Sequence, residues 1–283
     1  MEYEKFKKLS HKKLKTLSTE EKIEYYNRLR EHYLSLPYDE TKKDIKSKNF
    51  LRAAKILLPI IDLIYPIKLI NNESPIDRIE NKGIIYVSNH LNSLDQFSLI
   101  SAIGKDKPLV VLAKNTLLKL KRGVLYNYVG CEFIDLNNLK NIIKVFETLA
   151  QDILHGRDIL IFPEGTRNTT EKCMLPFHAG AVMLAQETGT KIVPYAINED
   201  YRPFKCENLF VRRGEEFVVS PDDDLNEANE KLEEIVATLI WENMELERDI
   251  RTKELNSKIK DDAMRQFVKK RNKLEQQRRK INV

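Results

Sequence analysis

Apolar and polar positions alternate in two distinct rhythms along this chain. Ser18 and Thr19 precede Glu21 and a run with Ile23, Tyr26, Leu29, Tyr33 and Leu36, spaced as one face of a capped helix that stops at Pro37. Residues 1–55 therefore read as helical and peripheral. From residue 83 the texture changes. Short β-rich runs at 83–88, 108–113, 131–135, 158–162 and 191–197 alternate with helical segments near 93–104, 138–155 and 178–189. Such alternation predicts an α/β fold, a mixed sheet flanked by helices. A further β-like run over 208–219 and a helix from about Asp224 to Glu247 close the domain. In the tail, Leu255, Ile259, Ala263, Phe267, Leu274 and Ile281 form a loose helical stripe amid Lys and Arg. That pattern suits a basic helix lying on anionic lipid and equally a solvated or self-associating helix.

Charge sharpens this division. The net charge of +5 hides 15 Lys/Arg against 9 Asp/Glu in residues 1–55, 20 against 29 in 56–247, and 13 against 5 in 248–283. Basic ends on an acidic middle predict contact with a polyanionic surface, whether anionic lipid, nucleic acid or an acidic protein. The stretch Ile56-Leu-Leu-Pro-Ile-Ile-Asp-Leu-Ile-Tyr-Pro-Ile-Lys-Leu-Ile70 is the most lipid-like. It is too short for a span of about 20 residues and is interrupted by Pro59, Asp62, Pro66 and Lys68, so it fits an interface or the core. The expected organisation is a helical N-terminal region with possible membrane association (1–75), an α/β domain (76–247) and a basic helical tail (248–283). Cys131, Cys173 and Cys206 stand apart with no CxxC spacing or histidine cluster, so no metal is expected and a reducing compartment fits. The N-terminus has no apolar signal core, so secretion is not expected.

Candidate chemistry lies where strands end. Val87-Ser-Asn-His90-Leu-Asn-Ser-Leu-Asp95 runs from an apolar strand into a helix. On a regular helix, residues five apart sit about 140° apart, so His90 and Asp95 meet only if the chain turns between them, with Ser93 as N-cap. Given that turn, the carboxylate holds one imidazole nitrogen and leaves the other as a base. Taken alone, such a pair also arises by chance and a lone histidine is more often structural. Ile159-Leu-Ile-Phe162-Pro-Glu164-Gly165-Thr166-Arg167 repeats the strand-to-turn arrangement, and Arg167 offers a planar fork for a phosphate or merely caps a loop. Lys114 follows the β-rich run 108–113 as a second phosphate contact or a solvated lysine. Pro194, in Ile192-Val-Pro-Tyr195, shapes a site wall or marks an edge strand.

In order, Asn89-His90-x4-Asp95, Gly130-x-x-Phe133-Ile134-Asp135, Phe162-Pro-Glu-Gly-Thr-Arg167 and Val193-Pro194 resemble the four blocks of the glycerolipid acyltransferase family, and most nearly its bacterial 1-acylglycerol-3-phosphate branch. The resemblance covers about residues 80–220. It implies that His90 abstracts the acceptor hydroxyl proton while Asp95 orients it. Glu164, Gly165, Thr166 and Arg167 then belong to the acceptor site, with Lys114 a possible partner on the phosphate. It also implies an acyl-ACP or acyl-CoA donor, no bound cofactor, a lysophospholipid acceptor and a place on the cytoplasmic face of the membrane. One position departs from the family: Leu136 follows Asp135 where phosphatidic-acid-forming members typically carry Arg. Another acceptor, such as a different lysophospholipid, glycerol 3-phosphate or a lipid alcohol, stays open, and Lys121 or Arg122 is a candidate substitute for the missing cation.

No GxSxG motif is present and the cysteines lie outside the His90 turn, so direct transfer in a ternary complex is expected. A non-catalytic lipid-binding scaffold would explain the basic ends and the apolar stretch, but it would not require His90, Asp95, Glu164 and Arg167 together. Nucleic-acid binding has only the charged tail in its favour and is not expected.

Overall fold

Runs of apolar residues that sit between helices must be covered on both faces, and the structure covers them. A computed structural model describes residues 8–64, 67–71, 74–92, 94–119, 123–170, 173–202 and 205–248. The chain begins with α1 (His11–Leu14), α2 (Thr19–Ser35) and α3 (Glu40–Ile64), then β1 (Ile67–Ile70), β2 (Ile85–Ser88), α4 (Asp95–Ile103) and β3 (Leu109–Lys114). A 3₁₀ turn (Asn115–Lys119) leads to α5 (Gly123–Tyr128), β4 (Glu132–Ile134), α6 (Leu139–Leu154), β5 (Asp158–Ile161) and α7 (Gly180–Thr188). The remaining elements are β6 (Lys191–Arg202), β7 (Lys205–Arg213), β8 (Phe217–Val218) and α8 (Leu225–Arg248).

The strands form one mixed sheet in the order β1-β7-β6-β2-β5-β3-β4, with β8 pairing the start of β6. From β6 to β4 all neighbours are parallel. β7 runs antiparallel to β6, and β1 follows β7. Side chains alternate across this sheet as the pleat requires. Ile85, Val87, Ile159, Ile161, Ile192 and Ala196 join the core on the α2, α6, α7 and α8 side. Ile84, Tyr86, Leu160, Val193, Tyr195 and Ile197 join the core under α3 and α4. Gly83 sits so close to the Arg157 carbonyl that an added Cβ would fall 1.8 Å from its oxygen, which brings the start of β2 tight against β5.

The N-terminal helices belong to the body of the fold. α2 carries the expected capping box, Ser18 with Glu21. Its Tyr26, Leu29 and Tyr33 are buried in the first core cluster, and Tyr33 donates to Glu187 Oε2 at 2.5 Å. The reading of residues 1–55 as peripheral is therefore corrected: this stripe packs on α6 and α7 rather than standing off. α3 runs through Pro59, one of the residues that interrupt the lipid-like stretch, because Phe50, Ala54 and Leu58 recur along one face and pack beside the sheet. Lys43 pins its first turns through Asp152 (2.6 Å) and Glu132 (2.8 Å). The apolar stretch 56–70 thus divides between this helix and β1. Pro194 is not on an edge. It lies in the sheet interior opposite Val87, where the outer neighbour of β6 changes from β8 to β7 and a donor is dispensable. The tail stripe after Arg248, and Ser93, Lys121 and Arg122, lie outside the described residues.

Candidate active site

The parallel strands β2, β5, β3 and β4 end on one edge of the sheet, the edge where α/β folds place their chemistry. Beyond Ser88 the chain leaves β2, but Asn89 keeps it tethered. Its buried side chain donates to the Ile197 carbonyl (3.0 Å) and accepts from the Ile197 N–H (2.8 Å) on β6. His90 comes next, and the chain then turns into α4, whose first residue is Asp95. Asp95 is fully buried and its Oδ2 accepts from Leu91 N–H, from Asn92 N–H (2.8 Å) and from His90 Nδ1 (2.7 Å). An oxygen already accepting two amides is an acceptor, so Nδ1 is the nitrogen that donates to it and Nε2 is the one left for other partners. Phe162 stacks on the imidazole with ring centroids 4.3 Å apart.

The turn after β5 locks onto this one. Gly165 N–H donates to the Phe162 carbonyl (2.9 Å), and Gly165 adopts φ +61, a left-handed conformation that suits glycine. An added Cβ there would meet the His178 ring at 3.1 Å. Glu164 is 3% exposed, and its two oxygens accept from His90 N–H (2.7 Å) and Leu175 N–H (2.8 Å). Asn168 N–H in turn donates to the His90 carbonyl (2.8 Å). The main chain of His90 is thus held on both sides by the second motif. Glu164, expected in the acceptor site, does not border the cavity described next; it positions His90.

His90, Lys114, Gly165, Thr166 and Arg167 border one cavity of about 930 Å³, at the upper end of the range for ligand pockets. Neither Lys114 nor Arg167 has an ion-pair partner among the described residues. The cavity walls are mostly apolar, with α3 supplying Phe50, Leu57 and Leu58, α4 supplying Phe97 and Ile100, and α6 supplying Phe146. Two residues of the cavity escaped the sequence reading. His178 lines it beside Gly165, held by its own N–H to the Pro163 carbonyl (2.9 Å); nothing in its local spacing distinguishes it from a surface histidine. Cys131 also lines it, its thiol pushed up to about 12 by burial and then by Glu132, so it is protonated and a poor nucleophile. Among the described residues no cluster of His, Cys, Asp and Glu could hold a metal ion, and no helix is long and apolar enough to cross a membrane.

A family model described as Acyltransferase matches residues 70–198, a span that holds every strand-end motif above. Residues 70–198 are thus those of an acyltransferase domain. Similar members include "Probable 1-acyl-sn-glycerol-3-phosphate acyltransferase" of Mycoplasma pneumoniae, 30% identical over 169 residues, and a protein of the same name from Mycoplasma genitalium, 33% identical over 172. Each alignment covers 59% of this chain, and the chain spans 60% of the length of either relative. The human 1-acyl-sn-glycerol-3-phosphate acyltransferase alpha is 35% identical over 125 residues, covering 43% of this chain and 42% of that one. A crystal structure of the 1-acyl-sn-glycerophosphate acyltransferase from Thermotoga maritima shares the family fold, with a TM-score of 0.52 at 23% identity over 77% of this chain and 88% of that one.

Proposed function

We propose that this chain moves a fatty acyl group from acyl-ACP or acyl-CoA to the free hydroxyl of 1-acylglycerol 3-phosphate, giving phosphatidic acid. The work is done at the cytoplasmic face of the cell membrane. The observation that carries this reading is the oriented His90–Asp95 pair at the wall of a large apolar cavity that also presents Lys114 and Arg167. His90 Nε2 takes the acceptor hydroxyl proton as the oxygen attacks the thioester carbonyl. Asp95 stabilises the resulting imidazolium. The tetrahedral oxyanion then collapses, the C–S bond breaks, and the imidazolium returns its proton to the leaving thiolate. A positioned base contributes typically 10²–10⁴-fold. Arg167 and Lys114 meet the acceptor phosphate, while the acyl chain gains about 0.8 kcal/mol for each CH₂ buried in the cavity.

Direct transfer in a ternary complex fits, because burial holds the Cys131 thiol protonated and the sequence has no GxSxG motif. One observation favours a second acceptor: Leu136, in place of the family cation, lines the cavity and would leave a phosphate with one contact fewer. Carrier-thiol release with lysophosphatidic acid against other acceptors, in wild type and His90→Ala, tests both readings. Release confined to lysophosphatidic acid and lost in the variant is the expected result. A requirement for another acceptor moves only the substrate, and activity surviving His90→Ala removes the mechanism.

A further inference from the structure

The position that departs from the family sits at a rim of the cavity. Leu136 lines it and is 48% exposed. The apolar surface continues onto α6, where Leu139 is 70% exposed and Ile143 47% exposed, four residues apart and so on one face. Ile142 and Phe146, on the adjoining face of the same helix, line the cavity itself. Lys140 and Lys144 stand one residue beyond Leu139 and Ile143, both exposed and neither paired among the described residues. Lys140 occupies the first turn of α6, which contains no acidic residue, although the helix dipole favours anions there. Three exposed apolar side chains at a cavity mouth, beside two unpaired ammonium groups, present the chemistry of a surface that enters an anionic bilayer.

We propose that this β4–α6 corner, Leu136, Leu139 and Ile143 flanked by Lys140 and Lys144, is a membrane-docking surface on anionic lipid. The inference rests on the acyl-transfer reading above. The leucine and isoleucine side chains reach below the headgroups, the lysines meet lipid phosphates, and an acyl chain passes from bilayer to cavity without crossing water. Leu136 then serves the bilayer contact rather than the acceptor phosphate.

The test places a fluorophore on the corner of the full-length protein. Leu139→Trp and Val218→Trp are compared with wild type, whose buried Trp241 supplies the baseline. Val218 is 60% exposed but pairs with Lys191 at the start of β6, on the opposite edge of the sheet. With vesicles of phosphatidylglycerol and brominated phosphatidylcholine, Leu139→Trp emission is expected to shift to the blue and to be quenched, with Val218→Trp unchanged. A double Lys140→Gln, Lys144→Gln variant is expected to bind these vesicles about 25-fold more weakly at low salt, about fivefold per lysine. Quenching at 218 instead of 139, or a blue shift at 139 produced by an acidic carrier protein without lipid, overturns the proposal. If the Leu139→Trp protein binds vesicles and transfers acyl groups while its added fluorophore stays unquenched, only this surface falls. If it binds no vesicles, the membrane location falls with it, and thiol release in detergent still judges the chemistry.

Discussion

The two halves of the site are built on opposite plans. Around His90 the polar groups are heavily committed: Asp95 Oδ2 has three donors, though its buried Oδ1 has none among the described residues, Glu164 accepts from two amides, and the main chain of His90 is bonded on both sides. Lining the same cavity, Lys114 and Arg167 have no ion-pair partner among the described residues. The difference teaches which task each half performs. Geometry needed at the moment of reaction is fixed in advance, so that no reorganisation falls on the transition state. On the proposed reading, the charge that would meet an anionic headgroup is left without an ion-pair partner among the described residues.

Removing the orienting charge should break the inner half most severely. Asp95→Asn is expected to lower kcat by about 10³-fold with little change in acceptor KM, because the amide no longer enforces the Nδ1–H tautomer or stabilises imidazolium. Steady-state kinetics against acceptor concentration would read the split, and a loss confined to KM would contradict the assigned role. Glu164→Ala follows. Two buried amides lose a charged acceptor, at about 1–3 kcal/mol each, so kcat should fall roughly 10²-fold and thermal stability should drop with it. Normal stability and normal kcat in that variant would show that His90 holds its place without the second motif. In the outer half, Arg167→Ala is expected to raise KM for a phosphate-bearing acceptor by about 10–100-fold while leaving kcat within a few-fold, since charge-assisted hydrogen bonds typically contribute 1.5–3 kcal/mol. An acceptor without a phosphate should be indifferent to it, and equal losses with both would refute the assignment. The smallest effect belongs to Cys131→Ser, expected to stay within threefold of wild-type kcat. Its thiol should resist alkylation by iodoacetamide below about pH 10 because burial keeps it protonated.

The sheet was legible because its strands are apolar on both faces and flanked by helical segments, a pattern with few alternatives. β1 was not legible. Four residues, Ile67 to Ile70, become a strand only through pairing with Leu209–Arg212, some 140 residues later, and local spacing carries no trace of that. α3 continues through Pro59 because packing of Phe50, Ala54 and Leu58 outweighs an intrinsic helix-breaking preference that the sequence displays. His90 and Asp95 were found as a pair, but the turn that joins them depends on hydrogen bonds from Leu91 and Asn92 that no residue type announces. The family resemblance implies an acceptor-site role for Glu164, and nothing in the local sequence points to its bonds with the chain. Its oxygens accept from the main-chain amides of His90 and Leu175, groups that every sequence possesses and none displays.

Asn89 shows how such a motif can be both rigid and irregular. Its carboxamide offers one donor and one acceptor at the spacing of a peptide unit, and Ile197 reads it as another residue of β2. The chain is thereby released from the pleat one residue before the ladder of bonds ends. His90 inherits the stiffness of a central strand while its backbone is free to take the angles of a turn. A side chain standing in for the backbone is a hinge with its pin already driven. Exchanging that amide for the isosteric carboxylate would set an oxygen against the Ile197 carbonyl and draw the pin.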